Sequence, residues 1–307
     1  MPSPDIRIGA RGSPLALAQA EQARQRLGAV PGEPTPVALV PIRTTGDRIG
    51  DRSLAEAGGK GLFTKEIDEA LIAGEIDAAV HSAKDMPTDL PEGIVIAACL
   101  KRADVRDAFV SPVAAQLADL PKGATVGTSS PRRRALTLRA RPDLVIVNLR
   151  GNVGTRLDKL ADGQVQAAIL AYAGLIRLGL ADRATSLMEP DQWPPAAGQG
   201  AIAIAARADD RRTIERLMAI DDRDTSIGLA TERAFLAALG GSCRTPIGGL
   251  ATVVGSRIAF HGIIVTPDGR SSHEVRRAGA VEDAEAIGTE AGAELRRRGG
   301  PDFFAAA

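Results

Sequence analysis

Two serine–proline pairs open helix-like segments and have arginines beside them. The pair at Ser13 follows Arg11, and the pair at Ser130 precedes Arg132 and two further arginines. Serine is a good N-cap and proline a good first helical residue, and the free N–H groups there favour anions. Cations on a first helical turn oppose the helix dipole, so an anion in front of them explains their placement. A solvated arginine face, with Arg134 the most exposed, is the alternative.

A second basic segment, LRGNVGTRLDKL, follows a predicted strand over 145–149. Arg150 stands at the end of that strand, Arg156 on the first turn of the next helix, and Arg177 after the next strand. Ligands of open α/β sheets bind outside the carboxyl ends of the strands. So many fixed cations suit a ligand with several carboxylates better than a single phosphate. The arginines predicted to line one mouth are Arg11, Arg132, Arg133, Arg150, Arg156 and Arg177.

The segment HSAKDMP places Lys84 and Asp85 after a predicted strand over 76–80. An aspartate in such a turn is often only a cap. Among so many arginines, however, one carboxylate could steady a developing cation or move a proton. The residues themselves leave both interpretations open.

Cys243 stands in GGSCRTP, where glycines and a proline predict an exposed turn and Arg244 would favour the thiolate. Most lone cysteines are inert, and no histidine lies near it in sequence, so a Cys-His hydrolase is unsupported. Cys99, in IVIAACL, is predicted to be a buried strand residue.

Composition excludes several classes of function. Lys+Arg and Asp+Glu both number 38 in 307 residues, and only 3% of the residues are aromatic, which disfavours a nucleic-acid binder. The two cysteines and three histidines are not grouped at metal-ligand spacing, so no metal is expected. Without an apolar run of membrane length or a signal-peptide core at the N-terminus, a cytoplasmic protein is the expectation.

Strands that alternate with helices predict an α/β fold with mostly parallel sheets. The sequence repeats itself: ATVGTSSPRRRAL echoes IRIGARGSPLAL, and GQVQAAI echoes GEIDAAV. We therefore predict two α/β domains of one design facing each other across a cleft, residues 1–100 with 200–220 and residues 101–199. The pattern after Asp221 predicts a small α+β domain, residues 221–307. The alternative is that all βα units look alike.

Nine segments in order between Ile6 and Gly249 resemble the porphobilinogen deaminase family. They are ARGSPLALAQA, TTGDRIGD, GGKGLFTKEID, AAVHSAKDMP, VGTSSPRRRAL, LRGNVGTRLDKL, ILAYAGLIRLGL, AAGQGAIAI and GGSCRTPIGG. The resemblance implies two domains like the halves of a periplasmic binding protein, with mixed, mostly parallel sheets. It also implies a dipyrromethane cofactor held to Cys243 by a thioether, so that this cysteine is a tether. It favours a monomer.

The resemblance further implies a transferase. Such an enzyme joins four molecules of porphobilinogen, each with an acetate and a propionate, into the linear tetrapyrrole hydroxymethylbilane, and ammonia is released at each addition. The implied catalytic residues are Asp85, Arg11 and Arg150. Besides Cys243, the implied cofactor-binding residues are Ser13, Lys84, Asp85, Thr128, Ser129, Arg132, Arg133, Arg150 and Arg156. The implied substrate-binding residues are Arg11, Ser13, Phe63, Arg150, Arg177 and Gln199.

The resemblance also implies that the long polar segment 44–61 is a lid from which Lys60 reaches the site. One position departs from the family, which often has lysine where this chain has Glu56. A lid carboxylate cannot pair with a substrate carboxylate, so Glu56 is left out of the site.

A non-catalytic, bilobed anion-binding protein is the second hypothesis. It would share the arginines and the two like domains. It would have no use for Asp85 among cations or for an exposed Cys243. The residues therefore favour the enzyme.

Overall fold

Three sheets organise the part of the chain that the structure describes. The computed structural model describes residues 6–31, 36–45, 64–241 and 245–304. In these ranges no helix combines the length and apolar character needed to cross a membrane.

The first sheet has the strand order β2-β1-β3-β10-β4. Its strands are β1 (Ile6–Arg11), β2 (Val37–Ile42), β3 (Ala78–Ser82), β4 (Ile94–Leu100) and β10 (Ile202–Arg207). β1 pairs in parallel with β2 and β3, whereas β10 is antiparallel to both β3 and β4. Four strands therefore run one way and one runs against them. β10 lies in the segment 200–220, which is predicted from the sequence to belong with residues 1–100, and it is a member of this sheet.

The second sheet repeats the same design with the order β7-β6-β8-β5-β9. Its strands are β5 (Asp107–Val110), β6 (Thr125–Gly127), β7 (Val145–Val147), β8 (Ala167–Ala171) and β9 (Ser186–Met188). β6 is parallel to β7 and β8, and the fourth position, β5, is again antiparallel to both neighbours. The echo read from the sequence is confirmed as a shared topology.

The described ranges contain eight α-helices. They are α1 (Pro14–Gly28), α2 (Lys65–Ile72), α3 (Pro131–Ala140), α4 (Val153–Ala161), α5 (Tyr172–Arg177), α6 (Arg211–Met218), α7 (Arg223–Leu239) and α8 (Ala284–Gly299). Ser13 caps α1 by accepting a hydrogen bond from the Ala16 N–H at 3.3 Å, as predicted. Helix and strand bounds differ from the sequence expectation by a few residues.

Equivalent glycines explain why the GEIDAAV and GQVQAAI segments match. Gly74 follows α2 with φ +70°, and Gly163 follows α4 with φ +74°. A side chain is strained in this left-handed region, so glycine ends each helix and turns the chain into the next strand. These turns set the start of β3 and β8, whose far ends carry candidate site residues.

The third sheet is antiparallel and consists of β11 (Ile247–Val254), β12 (Arg257–Val265) and β13 (Ser272–Ala280). α8 packs against α7 through glycines: a Cβ on Gly288 would lie 2.2 Å from the Thr231 carbonyl oxygen. This close approach requires glycine at the contact.

The chain divides into two compact units. The first comprises Met1–Ala103 and Ala201–Ser226, and the second comprises Asp104–Gly200 and Ile227–Ala307. The third sheet shares the second unit's core, because Ile263 and Val265 of β12 pack with Phe109 and Trp193. The three-domain division read from the sequence stays a prediction.

Candidate functional site

In the first unit, polar side chains gather where β1 and β3 end. β1 ends at Arg11, and the N-terminus of α1 follows at once. β3 ends at Ser82 and continues into a 3₁₀ turn, Ala83–Asp85, which contains Lys84. Because neighbouring parallel strands end at the same edge, the fold brings the two predicted segments together.

A small cavity of about 50 Å³ lies at this edge. Its lining includes Arg11, Ser13, Thr64, His81 and Asp85. The sequence predicted three of these five side chains as site residues. The cavity therefore combines a guanidinium, a helix N-terminus and a carboxylate.

In the second unit, the turn after β6 uses its hydroxyl groups to hold the backbone. The Thr128 oxygen accepts a hydrogen bond from the Ser130 N–H at 3.2 Å. The Ser129 hydroxyl lies 2.7 Å from both the Asn148 side-chain oxygen and the Leu149 carbonyl oxygen, and its one proton serves one of them at a time. Ser130 caps α3. Thr128 and Ser129 thus shape the loop between β6 and α3.

Arg132 and Arg133 are buried side by side on α3, and both bind Asp107. Arg132 Nη2 lies 2.7 Å from one carboxylate oxygen, and Arg133 donates to the other from Nη2 at 2.7 Å and Nε at 3.1 Å. Trp193 and Gln199 also donate to this carboxylate, at 2.9 and 2.8 Å. Gln199 is thereby fixed beside the arginines, as part of one buried cluster. Arg134, the next residue, is exposed, as expected.

The charges in this cluster do not balance. Burial by itself raises the pKa of Asp107, but the charges of Arg132 and Arg133 and their hydrogen bonds outweigh it and hold the pKa well below its usual range. One carboxylate therefore faces two guanidinium groups. Arg132 Nε is buried and has no hydrogen-bond partner among the described residues. A donor set with one surplus positive charge suits an added carboxylate.

A tight turn joins β7 to α4; Arg150 lies in the turn, and Arg156 lies on the first part of the helix. Gly151 has φ +111°, and a Cβ there would lie 2.7 Å from Thr155. Arg156 Nε donates to the Gly151 carbonyl oxygen at 2.9 Å, and Asn152 caps the helix. Arg156, on the first turn of α4, is thereby held against the turn that follows Arg150, and both arginines are half-buried.

Arg177 ends α5, next to β8. Its Nη2 donates to the Gly200 carbonyl oxygen at 2.7 Å, and burial lowers its pKa to about 10. Its Nε is buried with no hydrogen-bond partner in the described part of the chain. Like Arg132, this side chain keeps an unused donor.

Three predicted site residues lie outside the described residues: Lys60, Phe63 and Cys243. The departure at Glu56 lies there too. Their roles stay predictions.

Sequence reasoning missed three buried polar residues. Asp107 opens the apolar strand DAFV, and His81 is the next-to-last residue of β3. Glu232 on α7 accepts from the Gly198 and Ala251 N–H groups at 2.6 and 2.8 Å. A lone charge at the start of an apolar strand was the available signal for Asp107. The partners of Glu232 are distant in sequence, so no local pattern reveals it.

By fold and site, the chain is an α/β protein with arginine, lysine and hydroxyl side chains at or just beyond the ends of its strands. Residues 6–215 match the family model "Porphobilinogen deaminase, dipyromethane cofactor binding domain", and residues 228–297 match "Porphobilinogen deaminase, C-terminal domain". The chain belongs to the porphobilinogen deaminase family.

Named relatives agree with this assignment. A porphobilinogen deaminase of Nitrobacter winogradskyi is 56% identical over 298 residues, covering 97% of this chain and 94% of its own. Another, of Nitrobacter hamburgensis, is 57% identical with the same coverage.

Solved structures resemble the fold more distantly. A nutrient binding protein from Burkholderia cenocepacia bound to methionine has TM-score 0.44 and 18% identity, covering 69% of this chain and 89% of its own. The methionine binding protein MetQ has TM-score 0.46 and 18% identity, covering 72% and 92%. Because both scores are low, the fold class rests on the strand orders above.

Proposed function

We propose that this chain joins four porphobilinogen molecules head to tail, with release of ammonia at each addition, and that water then releases the linear tetrapyrrole hydroxymethylbilane. The observation that carries the proposal is the family match over 6–215, which includes the Lys84-Asp85 turn at the cavity edge. The relatives' names and the arginine-rich strand ends support the same reaction.

In the first unit, Asp85 and Arg11 have different proposed roles: Asp85 stabilises positive charge on the ring, and Arg11 binds a carboxylate. As ammonia leaves, positive charge develops on the pyrrole ring, and a carboxylate beside it stabilises that charge. Asp85, exposed in a short turn, can also take or return a proton at a pyrrole nitrogen. Arg11 and Ser13, at the start of α1, hold a carboxylate arm of the ring.

The second unit fits a dipyrromethane with several carboxylates. The Asp107 cluster has a surplus positive charge, which attracts a carboxylate. The buried Nε atoms of Arg132 and Arg177 supply hydrogen-bond donors that the described residues do not use. When bound, the dipyrromethane supplies the nucleophilic pyrrole carbon. Lys84, Thr128, Ser129, Arg150 and Arg156 complete the proposed set of carboxylate ligands, and Cys243 is the proposed tether.

Replacing Cys243 tests the covalent attachment. The denatured wild-type protein should carry the added mass of two linked pyrrole rings, and Cys243→Ala should lose it completely, because a thioether needs the sulfur. Intact-mass spectrometry measures both.

The matched control is Cys99→Ala, at a buried position in β4. It should keep the added mass. Wild-type protein that gains no rings even after incubation with porphobilinogen would support the binding-protein hypothesis instead.

Arg150→Leu should stall chain growth. The half-buried guanidinium in the turn after β7 is lost, and with it the proposed ligand for the carboxylates of each added ring. Mass spectrometry after a porphobilinogen pulse should show few or no ring adducts beyond the starting pair. Arg134→Leu, an exposed change on α3, should leave the adduct series unchanged. An unchanged series in Arg150→Leu contradicts its role.

The same family resemblance supports a cytoplasmic monomer as part of this proposal. Light scattering coupled to size exclusion checks the second point. A dimer at working concentration would contradict it.

A further inference from the structure

His81 and Arg11 lie side by side on one face of the first sheet. Ile8 pairs with Ala78 in the parallel β1–β3 ladder, and this register places Arg11 next to His81 three residues later. Side chains alternate along a strand. Ile8 and Val80 point into the apolar core beneath α1, so Arg11 and His81 point to the opposite face.

The His81 imidazole is buried and has an unused polar atom. The residue is 6% exposed, and Nε2 has no hydrogen-bond partner among the described residues. Burial, together with the nearby charge of Arg11, lowers the pKa of His81 to about 4. The ring is therefore neutral near pH 7, with one N–H donor and one acceptor. Buried polar atoms in folded proteins nearly always have a hydrogen-bond partner, so we expect Nε2 of His81 to have one when a ligand is bound.

The side chain lines the cavity that also contains Arg11, Ser13 and Asp85. At about 50 Å³, the cavity has room for a few water-sized groups and so for the carboxylate of one ring substituent.

We propose that His81 is a substrate-binding residue, and that its neutral imidazole donates a hydrogen bond to the carboxylate arm of porphobilinogen that Arg11 holds. The inference rests on the proposed function. It adds to the site a side chain that confers specificity without adding charge.

The charges around the cavity favour a carboxylate over the substrate's aminomethyl group. Arg11 and the N-terminus of α1 attract an anion and repel an ammonium. A neutral donor beside them completes the hydrogen bonds of a carboxylate, which accepts several. Asp85 is then left for the pyrrole nitrogens.

Kinetics of His81→Leu and His81→Gln test the contact. Leucine removes the donor at similar size, whereas glutamine keeps an N–H near the position of Nε2. We expect His81→Leu to raise KM roughly 10-fold, the usual effect of losing a hydrogen bond to a charged group, with little change in kcat. His81→Gln should recover most of that loss, and His273→Leu, in β13, should match the wild type.

Substrate analogues identify the arm. Porphobilinogen with its acetate or its propionate converted to the neutral amide should bind the wild type less tightly. For one of the two analogues, the loss of binding affinity should be much smaller in His81→Leu than in the wild type. This is because the variant already lacks the imidazole N–H that would donate to that carboxylate. If each analogue loses the same binding affinity in the wild type as in His81→Leu, the proposal is overturned.

Nitrogen NMR of the histidine side chains tests the contact in the wild-type protein, so the result does not depend on whether a variant folds. The sequence has three histidines, so histidine-labelled protein gives three imidazole patterns, and the His81 pattern is expected to shift when porphobilinogen binds. An unshifted pattern in protein that makes hydroxymethylbilane overturns this inference alone. A wild-type chain that makes no tetrapyrrole overturns the proposed function, and the inference falls with it.

Discussion

Asp85→Asn should fold like the wild-type chain and lose at least roughly 100-fold in kcat. The residue lies exposed in a three-residue turn after β3, so the fold does not depend on its charge. The amide has the same shape but is neutral. It can neither stabilise positive charge on the ring nor accept a proton at the pyrrole nitrogen.

Product formation and unfolding must be measured on the same preparation. Asp89→Asn is the matched control, because Asp89 is an exposed carboxylate in the loop that follows the same turn. We expect both variants to unfold with the wild-type midpoint, and only Asp85→Asn to lose turnover. Wild-type turnover in Asp85→Asn removes this carboxylate from the mechanism.

The fold was predictable where local chemistry determines it. Ser13 and Pro14 predict the start of α1, because the Ser13 cap and the fixed φ angle of Pro14 both act within the first helical turn. The repeated segments after Gly74 and Gly163 predicted two sheets of one design, since equivalent glycines end equivalent helices. The antiparallel fourth strand of each sheet could not be read locally, because its partners lie far along the chain.

The candidate site was predictable as a set of residues but not as a set of contacts. Arg11 and Asp85 reach one cavity because parallel strands end at one edge, which the pattern alone implies. Arg132 and Arg133 are predicted from the sequence to line the mouth of a ligand site. Asp107, 25 residues before Arg132 in sequence, binds both of them, and no spacing rule connects such positions.

The two units therefore present their cations differently. The first unit offers Arg11 at a small cavity together with neutral and acidic side chains. The second buries two guanidinium groups against one carboxylate. A buried arginine pair without Asp107 would repel itself strongly in a medium of low polarity. Asp107 thus holds two cations in one place while leaving a surplus of one for a ligand.

Asp107→Asn should destabilise the folded chain by about 3–5 kcal/mol, the cost of leaving a buried charge without its partner. The carboxylate is 1% exposed and accepts hydrogen bonds from four side chains. Asparagine offers one acceptor oxygen and no charge, so both arginines lose their counter-ion. Denaturant unfolding measures the difference in the free energy of unfolding. Asp158→Asn, an exposed change on α4, should leave it unchanged.

The pH dependence of the free energy of unfolding gives a second test of Asp107. The pKa of Asp107 is lower in the folded chain than in the unfolded chain, where it lies near ~3.9. Its contribution is therefore fully present above that value and is lost as the pH falls below it, because only the unfolded state then binds the proton. The difference in stability between the wild type and Asp107→Asn should shrink below about pH 4. A difference that stays constant from pH 7 to pH 3 would mean that the arginines find another counter-charge, and that Asp107 does not set the charge of this cluster.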